Sequence, residues 1–167
     1  VPGVVFNESE LRVDFPNESQ VRLFGADNPD ALRGVYFDGV VLDEFGLMQG
    51  KVWSEVVRPA LADRMGWALF IGTPNGRNAF WEMRDFAASN PDWFLAEHKA
   101  SETGIIPKEE LDAAKQSMTE DAYAQEFECS FEASVRGAVY AKELTELREQ
   151  GRIKELPWEP AIPVHTA

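Results

Sequence analysis

The run Val40-Val41-Leu42 closing on Asp43-Glu44, followed about twenty-five residues later by Trp67-Ala68-Leu69-Phe70-Ile71, limits this chain more than any other feature. Apolar runs this short are too brief for a comfortable helix, and the second is bounded by Gly66 and Gly72, so both read as buried strands. Between them Val52, Val56, Ala60 and Leu61 recur at helical spacing, which predicts a helix from Lys51 to Arg64, kinked or broken at Pro59. Strand, helix, strand at this spacing is what a right-handed parallel crossover requires. The expected fold class is α/β, a parallel sheet core flanked by helices.

The rest of the chain fits around that unit. Leu11 to Phe15 and Gln20 to Phe24 alternate apolar and polar residues about Pro16-Asn17-Glu18-Ser19, predicting an N-terminal β-hairpin. A short helical turn is expected from Asp30 to Arg33, ended by Gly34. A helix is expected from Arg77 to Ala88, packing through Phe80, Trp81, Met83 and Phe86, and a third strand from Trp93 to His98. Two more helices follow, one opened by Ile106-Pro107 and one over Glu120 to Cys129. Beyond Arg136 the pattern weakens to a helix at Ala141 to Glu149, a Pro-rich stretch from Pro157 to Pro163, and Val164-His165-Thr166-Ala167, which could open a strand. Residues 1–132 are therefore expected to form one domain and 133–167 a linker.

Composition narrows the function classes. With 167 residues and 44% of them apolar, a folded core is expected, and neither a membrane span nor a signal peptide is visible. The net charge of −13 argues against nucleic-acid binding through this segment alone, because phosphate contacts need clustered Lys and Arg. Between Glu82 and Glu132 thirteen acids stand against four bases, the pattern of a solvated helical face. Cys129 is the sole cysteine, without neighbours at metal-ligand spacing, and reads as a small residue on a buried helix face. The five tryptophans read as core or domain-contact residues, and His98 and His165 carry no assigned role.

Two acidic residues at the carboxyl end of a parallel strand stand where α/β sheets bind ligands. Asp43 could hold a hydrated Mg²⁺ beside a nucleotide phosphate, and Glu44 could polarise the attacking water, which is the Walker B arrangement. The bland alternative is a strand leaving into a polar loop. After the second run stands Gly72-Thr73-Pro74-Asn75-Gly76-Arg77-Asn78, whose Thr73 and Asn75 could meet a phosphate or that water. A plain tight turn would use the same residue types.

Together with Ala31-Leu32-Arg33-Gly34 upstream, these motifs resemble the ATPase domain of the large terminase subunit, the DNA-packaging motor of tailed bacteriophages. The resemblance runs from Leu11 to Phe131 and includes Tyr123 to Phe131 as the elements that close that domain. It implies a RecA-type P-loop NTPase fold using ATP and Mg²⁺. Asp43 would be the magnesium-associated carboxylate, Glu44 the catalytic base, and Gly72, Thr73 and Pro74 the coupling motif, with Asn75 beside them. Arg33, eleven residues before Glu44, would reach a neighbouring subunit's site as a trans finger, or simply form a salt bridge. Implied partners are double-stranded DNA, a small terminase subunit, a portal or procapsid and further copies in a ring, with no membrane, in the cytoplasm of the bacterial host. The tail resembles the linker to a ribonuclease-H-like nuclease domain.

One element of that pattern is missing. No Gly-x-x-x-x-Gly-Lys-Ser/Thr occurs in the 167 residues, so the sequence is expected to be a piece of a longer protein lacking the Walker A half, unable to turn over ATP alone. Apolar sheet surface should then be exposed. The competing expectations are another helicase-like P-loop ATPase, which the Phe45-Gly46 continuation disfavours, and a non-catalytic acidic module binding a basic partner.

Overall fold

The computed structural model describes residues 2–132, together with 147 and 150–152. The chain divides after Ala133 into two units, and the first holds both sheets of the described residues and the helices packed on them. The expected Pro-rich stretch, the terminal strand and almost all of the helix at 141–149 lie outside the described residues.

The N-terminal sheet has three antiparallel strands, β1 (Val5–Asn7), β2 (Arg12–Asp14) and β3 (Gln20–Arg22), in the order β1-β2-β3. β2 and β3 form the expected hairpin. Its turn is closed by the Phe15 amide donating to the Ser19 carbonyl at 2.9 Å, with Glu18 at φ 66. β1 was not expected.

The second sheet is the parallel pair β4 (Gly39–Leu42) and β5 (Trp67–Phe70), in register Gly39 to Trp67 and Leu42 to Phe70. Their connection begins with a 3₁₀ turn, Phe45–Leu47, and continues through a π-helical turn, Val52–Val57, into helix α1 (Arg58–Ala62). This connection corrects the expectation of a single helix. Pro59 has no N–H to donate, and just before it the Arg58 amide reaches back five residues to the Trp53 carbonyl. The wider turn brings Val52 and Val57, five residues apart, to one side, where both are 1% exposed. Val57 thus joins the expected inward stripe, while Ala60 is only half-buried.

Leu32, Leu42, Phe45, Val52, Val56, Val57 and Leu61 form the core. Leu32 comes from a 3₁₀ turn, Pro29–Leu32, which corresponds to the expected turn before Gly34. Phe45 sits at the centre, edge-on to Phe70 at 4.9 Å and to Phe80 at 6.0 Å between ring centroids. Burying aromatic rings in such edge-to-face arrangements is worth about 0.5–1.5 kcal/mol per pair beyond the area they remove from water.

Among the described residues, one face of the β4–β5 pair is covered. Val40, Ala68 and Phe70 pack on the core, whereas Val41 is 50% exposed and Leu69 45%. The expectation of strands buried on both faces therefore holds on one side, and Trp67, 60% exposed, is not a core residue of this unit.

Helix α2 (Ala79–Ser89) follows the loop after β5 and lays Phe80 and Met83 on the core. The expected strand from Trp93 to His98 is absent, and the segment is irregular. A strand needs a partner edge for its amides and carbonyls, and no such pairing forms there; Trp93 packs instead on Phe86 and Phe70, with ring centroids 5.4 and 5.9 Å apart. Three short helices complete the unit: α3 (Ala100–Thr103), α4 (Lys108–Ser117) and α5 (Glu120–Phe127). α5 opens on Thr119, whose hydroxyl accepts from the Ala122 amide at 3.3 Å. It ends before Cys129, which stands past the helix at φ 55 rather than on its buried face. Among the described residues no helix is long and apolar enough to cross a membrane.

Candidate functional site

Parallel pairing sends the chain out of β4 and β5 at the same end, so the loops that follow them meet. The ladder continues past both strands: the Ile71 amide donates to the Leu42 carbonyl, and the Phe45 amide to the Ile71 carbonyl, each at 3.1 Å. Asp43 and Glu44 are thereby held beside Gly72. A β-carbon built on Gly72 would lie 3.0 Å from the Glu44 α-carbon, and the glycine has φ +145, a conformation side chains rarely adopt. The motif's glycine is required by this approach.

Asp43 and Glu44 are both exposed. Glu44 occupies the left-handed region at φ 55, ψ 40, immediately before the 3₁₀ turn. Such a conformation costs a side-chain-bearing residue on the order of 1–2 kcal/mol, so tertiary contacts must hold it. They do so through the Phe45 amide on the Ile71 carbonyl and through Gly46, which is buried against the second loop. A β-carbon on Gly46 would meet the Thr73 carbonyl oxygen at 2.6 Å. The Gly46 carbonyl accepts from Asn75 Nδ2 at 3.4 Å and from Asn78 Nδ2 at 2.7 Å.

The second loop is correspondingly well seated. Pro74 and Gly76 are buried, Thr73 is half-buried and Asn75 is exposed. Gly72, Thr73, Pro74 and Asn75 thus come together with Asp43 and Glu44. Asn78, the last residue of the loop motif, carried no role of its own in the sequence reading, although an Asn directly before an apolar helical run is a recognisable helix cap.

Arg33 is not drawn into that cluster by any contact of its own. Its guanidinium is exposed and donates to the Asp30 carboxylate at 2.7 Å. This bond holds the Asp30 carboxyl below its ordinary value and raises the Arg33 guanidinium above its own. One face of the loop region is also anchored to the end of the unit. Arg77 pairs with Glu132 at 2.6 Å and lies over the Trp81 ring.

Among the described residues no group of three or more His, Cys, Asp or Glu could hold a metal ion between them. A hydrated Mg²⁺ beside phosphates needs less than that, one or two carboxylates with the remaining positions filled by phosphate oxygens and water. The exposed Asp43 carboxylate fits such a role. A phosphate cradle is a different matter, since these residues contain no glycine-rich loop with a lysine.

No protein-family model matches the sequence. The large terminase subunits of Thermus phage G20c and Thermus virus P23-45 are each 50% identical to it over 64 residues, 38% of this chain and 13% of the relative. The large terminase subunit of Escherichia phage T5 is 24% identical over 129 residues, 75% of this chain and 30% of the relative. Among solved structures, the large terminase ATPase domain of Thermus phage P74-26 superposes with a TM-score of 0.67 at 27% identity, over 77% of this chain and 62% of that one. An arginine-to-alanine mutant of that domain superposes equally, with a TM-score of 0.67 at 26% identity, over 77% of this chain and 63% of that one. The chain thus spans between 13% and 30% of the length of these curated relatives. It is a homologue of the phage large terminase subunits and carries the RecA-like α/β fold of their ATPase domain.

Proposed function

We propose that this chain is the part of a DNA-packaging ATPase that carries the catalytic strand end and the coupling loop. The observation that supports the reading is the parallel register of β4 and β5, with Gly72 against the Glu44 backbone. In this reading residues 1–132 are the C-terminal part of the ATPase domain and 133–167 the linker toward a nuclease domain.

Each residue then has a role suited to its chemistry. The Asp43 carboxylate is the protein ligand for hydrated Mg²⁺, which when bound neutralises charge on the nucleotide phosphates. Glu44 takes a proton from the attacking water and orients it, a positioned carboxylate being the ordinary means of general-base catalysis. Thr73 and Asn75 present hydrogen-bonding groups at the same strand end, so occupancy there moves the Gly72-Thr73-Pro74 loop and the helix behind it. Arg33 serves a neighbouring copy's site, its fixed charge and planar fork matching phosphoryl oxygens. Double-stranded DNA, a small subunit, a portal or procapsid and other copies in a ring are the partners of such a motor, in the bacterial host's cytoplasm.

These 167 residues hold no glycine-rich phosphate cradle with a lysine, so in this reading the chain alone binds ATP weakly or not at all. The test uses the longer natural protein that carries such a cradle. Glu44→Gln should retain Mg²⁺-ATP and lose turnover by roughly 10²- to 10⁴-fold, the usual worth of a general base. A variant hydrolysing at the wild-type rate would overturn the assignment.

A further inference from the structure

We infer that Asn78 is a positioning residue for Glu44, acting through its carboxamide nitrogen and separably from its role as a helix cap. The inference rests on the reading of Glu44 as the general base.

The two ends of the Asn78 side chain do different things. Its Oδ1 accepts from the Phe80 amide at 3.0 Å and the Trp81 amide at 3.4 Å, capping α2. Its Nδ2 donates to the Gly46 carbonyl at 2.7 Å and to the Asn75 carbonyl at 3.1 Å. The amide orientation is set from both sides, since N–H groups face one end and carbonyls the other. One side chain thereby ties together the start of α2, the loop after β5 and the turn that begins at Glu44.

The Gly46 bond bears on the reaction because of where it falls. Gly46 lies two residues past Glu44, inside the 3₁₀ turn that fixes the glutamate's left-handed backbone, and the Leu47 amide closes that turn on the Glu44 carbonyl at 2.9 Å. An unfavourable backbone conformation persists only where surrounding contacts over-determine it. Withdrawing the shortest hydrogen bond on Gly46 lets the turn relax and moves the Glu44 carboxylate, and displacements near 1 Å can cost about 10²-fold in rate.

Substitutions separate the two ends. Asn78→Ser keeps an oxygen able to cap α2 but is too short to reach Gly46. Asn78→Asp has the same shape and a still better cap, since negative charge suits a helix N-terminus, but offers no donor and turns a carboxylate oxygen toward the Gly46 and Asn75 carbonyls. Asn78→Ala loses both ends. In the longer natural protein, the Ser and Asp variants are expected to lose about 10- to 100-fold in kcat, with KM for ATP within about twofold of wild type. If Asn78 is merely a cap, Ser and Asp restore kcat and only Ala fails, which overturns the inference. Should one of the two misfold by circular dichroism, the other decides the question alone. Glu44→Gln is assayed in parallel. If it too turns over normally, the base assignment falls and this inference with it; if it is dead while Asn78→Ser is fully active, only the role of Asn78 is wrong.

Discussion

The α-carbon of Gly72 faces that of Glu44 so closely that a methyl group on the glycine would sit 3.0 Å from the glutamate's Cα. Neither backbone has room to retreat, because the Phe45 amide is bonded to Ile71 on one side and the Ile71 amide to Leu42 on the other. Gly72→Ala must therefore strain its own backbone at φ +145 and push the carboxylate-bearing turn away. The expected loss of stability is about 1–3 kcal/mol, the usual cost of a disfavoured backbone conformation. Hydrolysis by the longer protein should fall as well, and urea unfolding together with an ATPase assay reads both.

Phe45 concentrates the packing that keeps this strand end in place. It is 1% exposed and in ring contact with Phe70 and Phe80. Phe45→Ala is expected to cost about 3–5 kcal/mol, as large-to-small changes at buried aromatics do. Met65→Ala, at a side chain 95% exposed, should stay within about 0.5 kcal/mol of wild type. Equal effects in denaturant titrations would mean that the core is elsewhere.

Arg33 yields a prediction about assembly. Its guanidinium is on the surface and, among the described residues, pairs with Asp30, so Arg33→Ala should scarcely change the melting temperature. If it completes a neighbour's site, turnover by the assembled motor should nevertheless drop by orders of magnitude, in keeping with other arginine fingers, and Arg33→Lys should not rescue it. Mixing Arg33→Ala subunits with Glu44→Gln subunits should restore part of the activity. Mixtures no more active than either variant would assign the arginine to its local ion pair.

That ion pair has a defined pH signature. Arg33 lowers the Asp30 carboxyl below its ordinary value, so the pair's contribution is fully present above the ordinary carboxylate range. It is lost as the pH falls through the lowered value. In NMR titration Asp30 should titrate below an ordinary aspartate in the wild type and move up in Arg33→Ala.

Cys129 should behave in the opposite sense. Burial pushes its thiol up, so the folded state favours the protonated form. Its share of stability is complete below the ordinary thiol range and is lost as the pH rises through the raised value. Because the thiolate is the nucleophile, alkylation of the folded protein at about pH 8 should be slower than in denaturant.

Much of this arrangement is legible in the residues. The apolar runs at Val40 and Trp67 announce strands by length and by their glycine borders, and Asp43-Glu44 with Gly72-Thr73-Pro74 then fall at one sheet end by topology alone. Pro59 announces a break but not the π turn, which depends on which carbonyl the amides just before it find. Trp93 to His98 has strand-like composition without a partner edge, and propensity carries no information about partners. Three residues, Val5 to Asn7, are too few to show a period. The left-handed backbone of Glu44 and the donor role of Asn78 arise only when two loops distant in sequence approach, so local pattern could not reveal them.

A structure of the longer natural protein with Mg²⁺ and a non-hydrolysable ATP analogue would decide whether the two loops share one phosphate site. The γ-phosphate should lie between them, within one water of the Glu44 carboxylate, with the cation's inner or outer shell on Asp43 and Thr73 or Asn75 in hydrogen-bonding reach. A nucleotide bound with its phosphates out of reach of both Glu44 and the Gly72–Asn75 loop would refute the shared site.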